Sequence, residues 1–185
     1  MSLWGNDIKP KNLTDAEKKE VFANTKGWVR EAGSILSGNG NTSADPEVLV
    51  AIGGLSANMG SANITELEFI TTAFDKSDGG TLQVRARFNE PVTVTGTPQL
   101  TVVNDSRANH TLSYASGSTT NELVFSLTIG AANSATNAGD ELSIGANAIG
   151  LNGGTIKDTG QSGTNATITN AASIGTAAGT ITVTA

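Results

Sequence analysis

From about residue 64 onward the chain alternates apolar and polar residues with a period of two, and this limits its fold more than any other feature. In TLQVRARF, Leu82, Val84, Ala86 and Phe88 fall on one side, with Gln83, Arg85 and Arg87 on the other. Val92 and Val94 then alternate with Thr93 and Thr95, and Leu100 and Val102 follow Pro98. Leu112 and Tyr114 continue the pattern, as do Leu123, Phe125, Leu127 and Ile129 in ELVFSLTI. Further runs centre on Phe69, Ile144, Ile156, Ile168 and Ile181. Strands with one apolar and one polar face are those of half-buried antiparallel sheets. Asp78-Gly79 and Asn152-Gly153 read as hairpin turns, because both central positions tolerate positive φ. Pro91 and Pro98 cannot donate to a sheet ladder, so they mark strand starts or edges. The expected fold is all-β, an antiparallel β-sandwich over residues 61–185. GTITVTA at 179–185 is its last strand or a strand for another subunit's edge.

Residues 1–60 differ. They hold both tryptophans, Trp4 and Trp28, and the best helix signal. In NLTDAEKKEVFANTKGW, Thr14 is an N-cap and Glu17, three residues later, completes a capping box. The expected helix spans 15–24, with Gly27 as its stop. SGNGNTSADP at 37–46 reads as a surface loop, and EVLVAIGGL at 47–55 as a short strand added to a neighbour. With no core of its own visible in the sequence, this region is expected to be an extended arm. Trp4, Phe22, Trp28, Val48, Leu49 and Ile52 would then either fold back on the C-terminal domain or dock on a partner.

Composition and charge exclude several function classes. The formal net charge is −6, and the Lys and Arg residues form no basic patch, which argues against nucleic-acid binding. Without cysteine there is no disulfide, thiolate or Cys-zinc chemistry. No apolar run is long enough to span a membrane. MSLWGNDIKPKN lacks the basic-then-apolar order of a secretory signal, so use without export is expected.

The search for a reacting centre yields little. Glu90, between two alternating runs and beside Pro91, reads as a solvated corner residue. The sole histidine, His110, reads as a surface residue at a strand start, and no serine sits in a G-x-S-x-G elbow. Glu66 and Glu68 lie opposite Leu67 and Phe69, a placement in solvent, and Asp140 and Glu141 read as turn residues. The acidic loops at 75–80, 104–106 and 157–160 lack EF-hand spacing. The glycines sit in turns rather than in phosphate-binding spacings. No catalytic residue, cofactor site or metal site is assigned.

VRARFNEPVTVTGTPQLTV, LSYASGSTTNELVFSLTI and DELSIGANAIGLNGGTIKDTG resemble the bacterial immunoglobulin-like repeats of large surface adhesins, of the cadherin-like or SwmB-like type. That resemblance covers about 64–170 and implies an Ig-like sandwich used for adhesion or display. MSLWGN, KPKNLT, VFANTKGWV and EVLVAIGGL resemble the leader of virion structural proteins from tailed phages of marine cyanobacteria. Together they imply a non-enzymatic virion protein, foremost a capsid decoration protein assembled in the host cytoplasm. Its arm would dock on the major capsid protein or other virion proteins, and its Ig-like domain would face a host-surface glycan or protein. A tail, neck or fibre component and a bacterial adhesin module are the alternatives. Monomers and homo-oligomers both fit such a role.

Overall fold

The computed structural model describes residues 10, 12–34, 38, 40–161 and 163–185. The alternating region forms one connected, curled sheet of ten strands. Its axis is β6 (Gly80–Thr95), a single strand that runs straight through the Glu90-Pro91 position. One side of β6 pairs antiparallel with β9 (Thr120–Ile129). The other side pairs first with β4 (Ile64–Phe69) and then, beyond an irregularity between Arg87 and Val92, with β12 (Thr155–Asp158). Beyond β9 lie β8 (His110–Ser116) and β7 (Gln99–Asn104). The outer side of β7 is shared by β11 (Ile149–Gly150) and β10 (Glu141–Ser143). Finally β13 (Ile181–Thr184) joins β10 to β5 (Phe74–Asp75).

The all-β expectation holds, with one change: β13 pairs parallel with β5, so the sheet is mixed rather than purely antiparallel. Residues 179–185 supply the last strand within the chain's own sheet. The inward side chains of the alternating runs, including Leu82, Phe88, Leu100, Leu112, Phe125 and Ile156, form one apolar core. Asn152 and Gly153 both have positive φ, as the hairpin reading requires. Pro91 is neither a start nor an edge but lies inside β6, where the strand leaves register with β9 and no ladder bond is asked of it. A short helix, α3 (Ala172–Ala177), precedes β13.

The described residues between Leu13 and Met59 are a folded unit rather than an extended arm. Thr14 does form the capping box: its hydroxyl accepts from the Glu17 N–H, and the Glu17 carboxylate accepts from the Thr14 N–H at 2.8 Å. The helix α1 (Asp15–Lys19) stops well short of residue 24. Val21 and Phe22 instead begin a strand, β1 (Val21–Asn24), because both are buried and they point to opposite faces. A tight turn, in which the Asn24 side chain accepts from the Lys26 N–H, leads to β2 (Gly27–Arg30). Gly27 is therefore a strand start and not a helix stop. Its φ of 135° and the Val50 carbonyl oxygen, 2.1 Å from where a Cβ would stand, both demand glycine. β3 (Glu47–Ala51) completes a three-stranded antiparallel sheet, and α2 (Leu55–Asn58) follows it.

This small sheet has the core that the sequence seemed to lack. Val21, Ala23, Trp28 and Leu55 form a cluster separate from that of the main sheet, with Leu13, Leu49, Val50, Ile52 and Met59 against it. Trp28 is fully buried there. We therefore expect Trp28→Ala to leave a large cavity and cost the unit about 3–5 kcal/mol. Amide hydrogen exchange would read this as lost protection in β1–β3 with protection in β6–β9 retained.

Candidate functional site

The residues marked out for docking divide into three groups. Trp4 lies outside the described residues. Phe22 and Trp28 are buried inside the chain, so in this conformation neither meets a partner. Leu49 and Ile52 pack partly against the Trp28 cluster, and Val48 remains 44% exposed. The structure thus gathers the apolar signal of 47–52 onto β3 and removes Phe22 and Trp28 from the surface. β3 pairs with β2 on one side only, and among the described residues its other edge makes no backbone hydrogen bond. Such an edge offers unpaired N–H and C=O groups to an incoming strand.

The face of β1–β2 opposite Trp28 carries Phe22 and Val29, which stand across from each other in register. Both are buried, neither belongs to either apolar cluster, and β1 packs against β6. Around this contact the two sheets exchange charges. Arg87 on β6 reaches Glu66 on β4 at 2.8 Å, Glu122 on β9 at hydrogen-bonding distance, and Glu31 just after β2 at 3.8 Å. Lys19 of α1 contacts Glu66 at 2.7 Å, and the Asn121 amide donates to Glu31 at 3.2 Å. Glu66 is therefore a half-buried partner of two cations and not a solvated residue; hydrogen bonds from Lys19 and Arg87 outweigh its burial and lower its pKa. Glu68 is the more exposed of the two, as its strand position predicts, and pairs with Arg85 at 2.6 Å.

Glu90 is the largest departure from expectation. It is fully buried, and neither carboxyl oxygen has a hydrogen-bond partner. The reason lies in the register of β6. Leu82, Val84, Ala86, Phe88, Val92 and Val94 are the inward series, and position 90 falls in that series. Asp158, opposite Val92 on β12, is buried close by. The backbone N–H groups of Ala62 and Gln161 satisfy Asp158 at 2.9 and 2.8 Å. Burial, with the Asp158 charge adding to it, pushes the Glu90 carboxyl up to about 8. At neutral pH Glu90 is thus a neutral acid in the core, and its enclosure gives a substrate no access to it.

His110 is likewise buried rather than at the surface. Its Nε2 lies 3.4 Å from the Asn104 amide, which donates to Asp140 at 2.9 Å. Ser106 also donates to Asp140, at 2.6 Å, and the Asn137 N–H at 2.8 Å. Hydrogen bonds from Ser106 and its neighbours hold the Asp140 carboxyl low, while burial lowers the His110 pKa. Asp140 is thus a buried acceptor that ties residues 104–106 to residues 137–140, not a plain turn residue. Ser106 donates to a carboxylate whose pKa is held low, a weak base, and not to the imidazole, so it lacks the partner that activates a nucleophile. Among the described residues no three His, Cys, Asp or Glu side chains converge as a metal cage would need, and no helix is long and apolar enough to cross a membrane. Comparison with protein-family models, curated proteins and solved structures found no match for the chain.

The buried Glu90 has a measurable consequence. Because its pKa is raised in the folded state, its contribution is most favourable below the ordinary value of 4.5 and is lost as pH rises to about 8. Glu90→Gln is neutral at every pH. Between about pH 6 and about pH 8.5 its urea midpoint should fall less than that of the wild type.

Proposed function

We propose that this chain is a non-enzymatic structural protein of a phage virion, foremost a capsid decoration protein that docks through its N-terminal unit and displays the main sheet outward. The observation that carries this reading is the outer edge of β3, unpaired among the described residues, with Val48 exposed beside it. A strand from the major capsid protein or another virion protein can add to that edge, with main-chain hydrogen bonds for affinity and Val48 for an apolar contact. The edge lies within the segment whose words resemble phage virion leaders. Removal of Phe22 and Trp28 to the interior shifts the docking surface to β3 and leaves the idea of an N-terminal attachment unit in place.

The displayed part is read as a variant of the Ig-like sandwich. In support, β6 and β7 each change partners along their outer sides, as strands do when they pass between two layers. The enclosed Glu90, the pairing of Ser106 with the weakly basic Asp140 and the single buried histidine favour a structural role over a catalytic one. A host-surface glycan or protein is the partner proposed for the polar outer faces.

Quantitative mass spectrometry of purified particles tests the assignment. A ratio to the major capsid protein near a simple lattice fraction is expected. A handful of copies per particle would move the protein to tail or neck, and absence from particles would favour an adhesin module. Val48→Asp, which places a charge beside the β3 edge without entering a core, should cut incorporation by about tenfold or more while circular dichroism stays unchanged.

A further inference from the structure

The contact between the N-terminal unit and the main sheet is unusual in its charge balance. The two apolar clusters stay separate, and Phe22 and Val29 are buried at the contact outside both of them. Ionic groups surround that pair. Among the described residues the cations are Lys19, Arg85 and Arg87, and the carboxylates are Glu31, Glu66, Glu68 and Glu122. Three positive groups thus meet four negative ones. Two of these carboxyls, Glu31 and Glu122, converge on the same nitrogen, Arg87 Nε, Glu122 at hydrogen-bonding distance and Glu31 at 3.8 Å, so they stand beside each other and share one cation. They come from different sides of the contact, Glu31 from the end of β2 and Glu122 from β9.

We propose that this boundary is a proton-operated latch: one proton shared between Glu31 and Glu122 holds the N-terminal unit closed on the main sheet. With the proton in place, one carboxyl donates to the other, and the remaining three negative charges match the three cations. Without it, two carboxylates face each other across a half-buried contact, and their repulsion favours separation.

The other groups facing Glu31 set the direction of the response. Arg87 attracts it and Asn121 donates to it, both favouring the ionised form. Burial first, and then repulsion from Glu122, outweigh these and push the Glu31 carboxyl up to about 7. Glu66 stays ionised across this range, since its own pKa is lowered, so its pairs with Arg87 and Lys19 persist. On the unit's own side, Glu20 accepts the Glu31 N–H through its backbone carbonyl, and Arg30 is engaged by Glu17 and Glu47. The closed form therefore holds its proton up to about pH 7, whereas an open form releases it near the ordinary value of 4.5. Closure is strongest at the acid end of that window and weakens as pH rises through it to about 7, above which no further loss comes from this group. Opening uncovers Phe22 and Val29, an apolar pair that a closed molecule does not present. The inference is independent of the virion reading, since it concerns only contacts within the chain.

Cysteine trapping on the full-length chain tests the latch, and the natural absence of cysteine makes the background zero. Val29→Cys places a thiol at the closed contact, and Ser77→Cys supplies an exposed reference that corrects for thiol ionisation. With an uncharged thiol reagent, the labelling rate of Cys at 29 relative to Cys at 77 should rise about tenfold between about pH 5.5 and about pH 8. In the Glu31→Gln background that ratio should stay flat. A flat ratio without Glu31→Gln, or the same rise with it, would overturn the proposal. Should Val29→Cys fail to fold, carbon-13 carboxyl NMR of the unaltered chain gives an independent answer. A Glu31 midpoint near 7 that drops in Glu122→Gln supports the latch, and a midpoint near 4.5 refutes it.

Discussion

The pairing of β6 with β9 is the constraint on which the rest of this molecule depends. Nine registered pairs, from Gly80–Ile129 to Val92–Thr120, fix which side chains of β6 face inward. A shift of one residue would send Leu82, Val84, Ala86 and Phe88 outward and bring Arg85 and Arg87 into the core. The same register places Arg85 and Arg87 on the outer face, where β4, β9 and the end of β2 bring carboxylates to them. It also carries Glu90 inward beside Asp158. One ladder thus determines the apolar core, the ionic contact with the N-terminal unit and the buried acid.

The N-terminal unit is held by chemistry of a different kind. Inside, it is an ordinary small core in which a three-stranded sheet and α2 enclose Trp28. Outside, it meets the main sheet through an apolar pair ringed by charges. Burying ions costs free energy that only good partners offset, so such a contact depends on solution conditions in a way that an apolar one does not. The edge of β3 faces away from this constraint and keeps its backbone groups unpaired among the described residues.

How much of this was legible in the sequence varied with the range of the forces involved. Period-two alternation revealed the main strands, because each apolar side chain reports its own face. The Thr14 capping box was legible because all its partners lie within three residues. The helix extension to residue 24 failed because Val21 and Phe22 answer to β2, α2 and β6, and no local preference records those neighbours. The Trp28 core was missed because its members come from four short elements, none apolar enough to stand out alone. Glu90 was misread for another reason. Pro91 suggested a break, yet counting by twos from Leu82 through Val94 puts position 90 in the inward series, so the signal was present. His110 carried the same signal, two residues before Leu112 on the buried face of β8, whereas Asp140 gave none, since its partners Asn104 and Ser106 lie 36 and 34 residues away.

The position of β13 shapes how such a chain comes to be folded at all. It lies between β10 and β5, and Thr184 donates to the Phe74 carbonyl, 110 residues earlier. During synthesis β5 and β10 therefore wait with facing edges unpaired until the last strand emerges. Contacts of such long sequence separation slow folding, and open edges are where nascent chains find wrong partners. The closing strand is polar and threonine-rich on the side away from the core, with only Ile181 and Val183 buried. A late strand of that character adds little stickiness to the waiting chain, so the sequence that completes the sheet also limits the hazard of leaving it open.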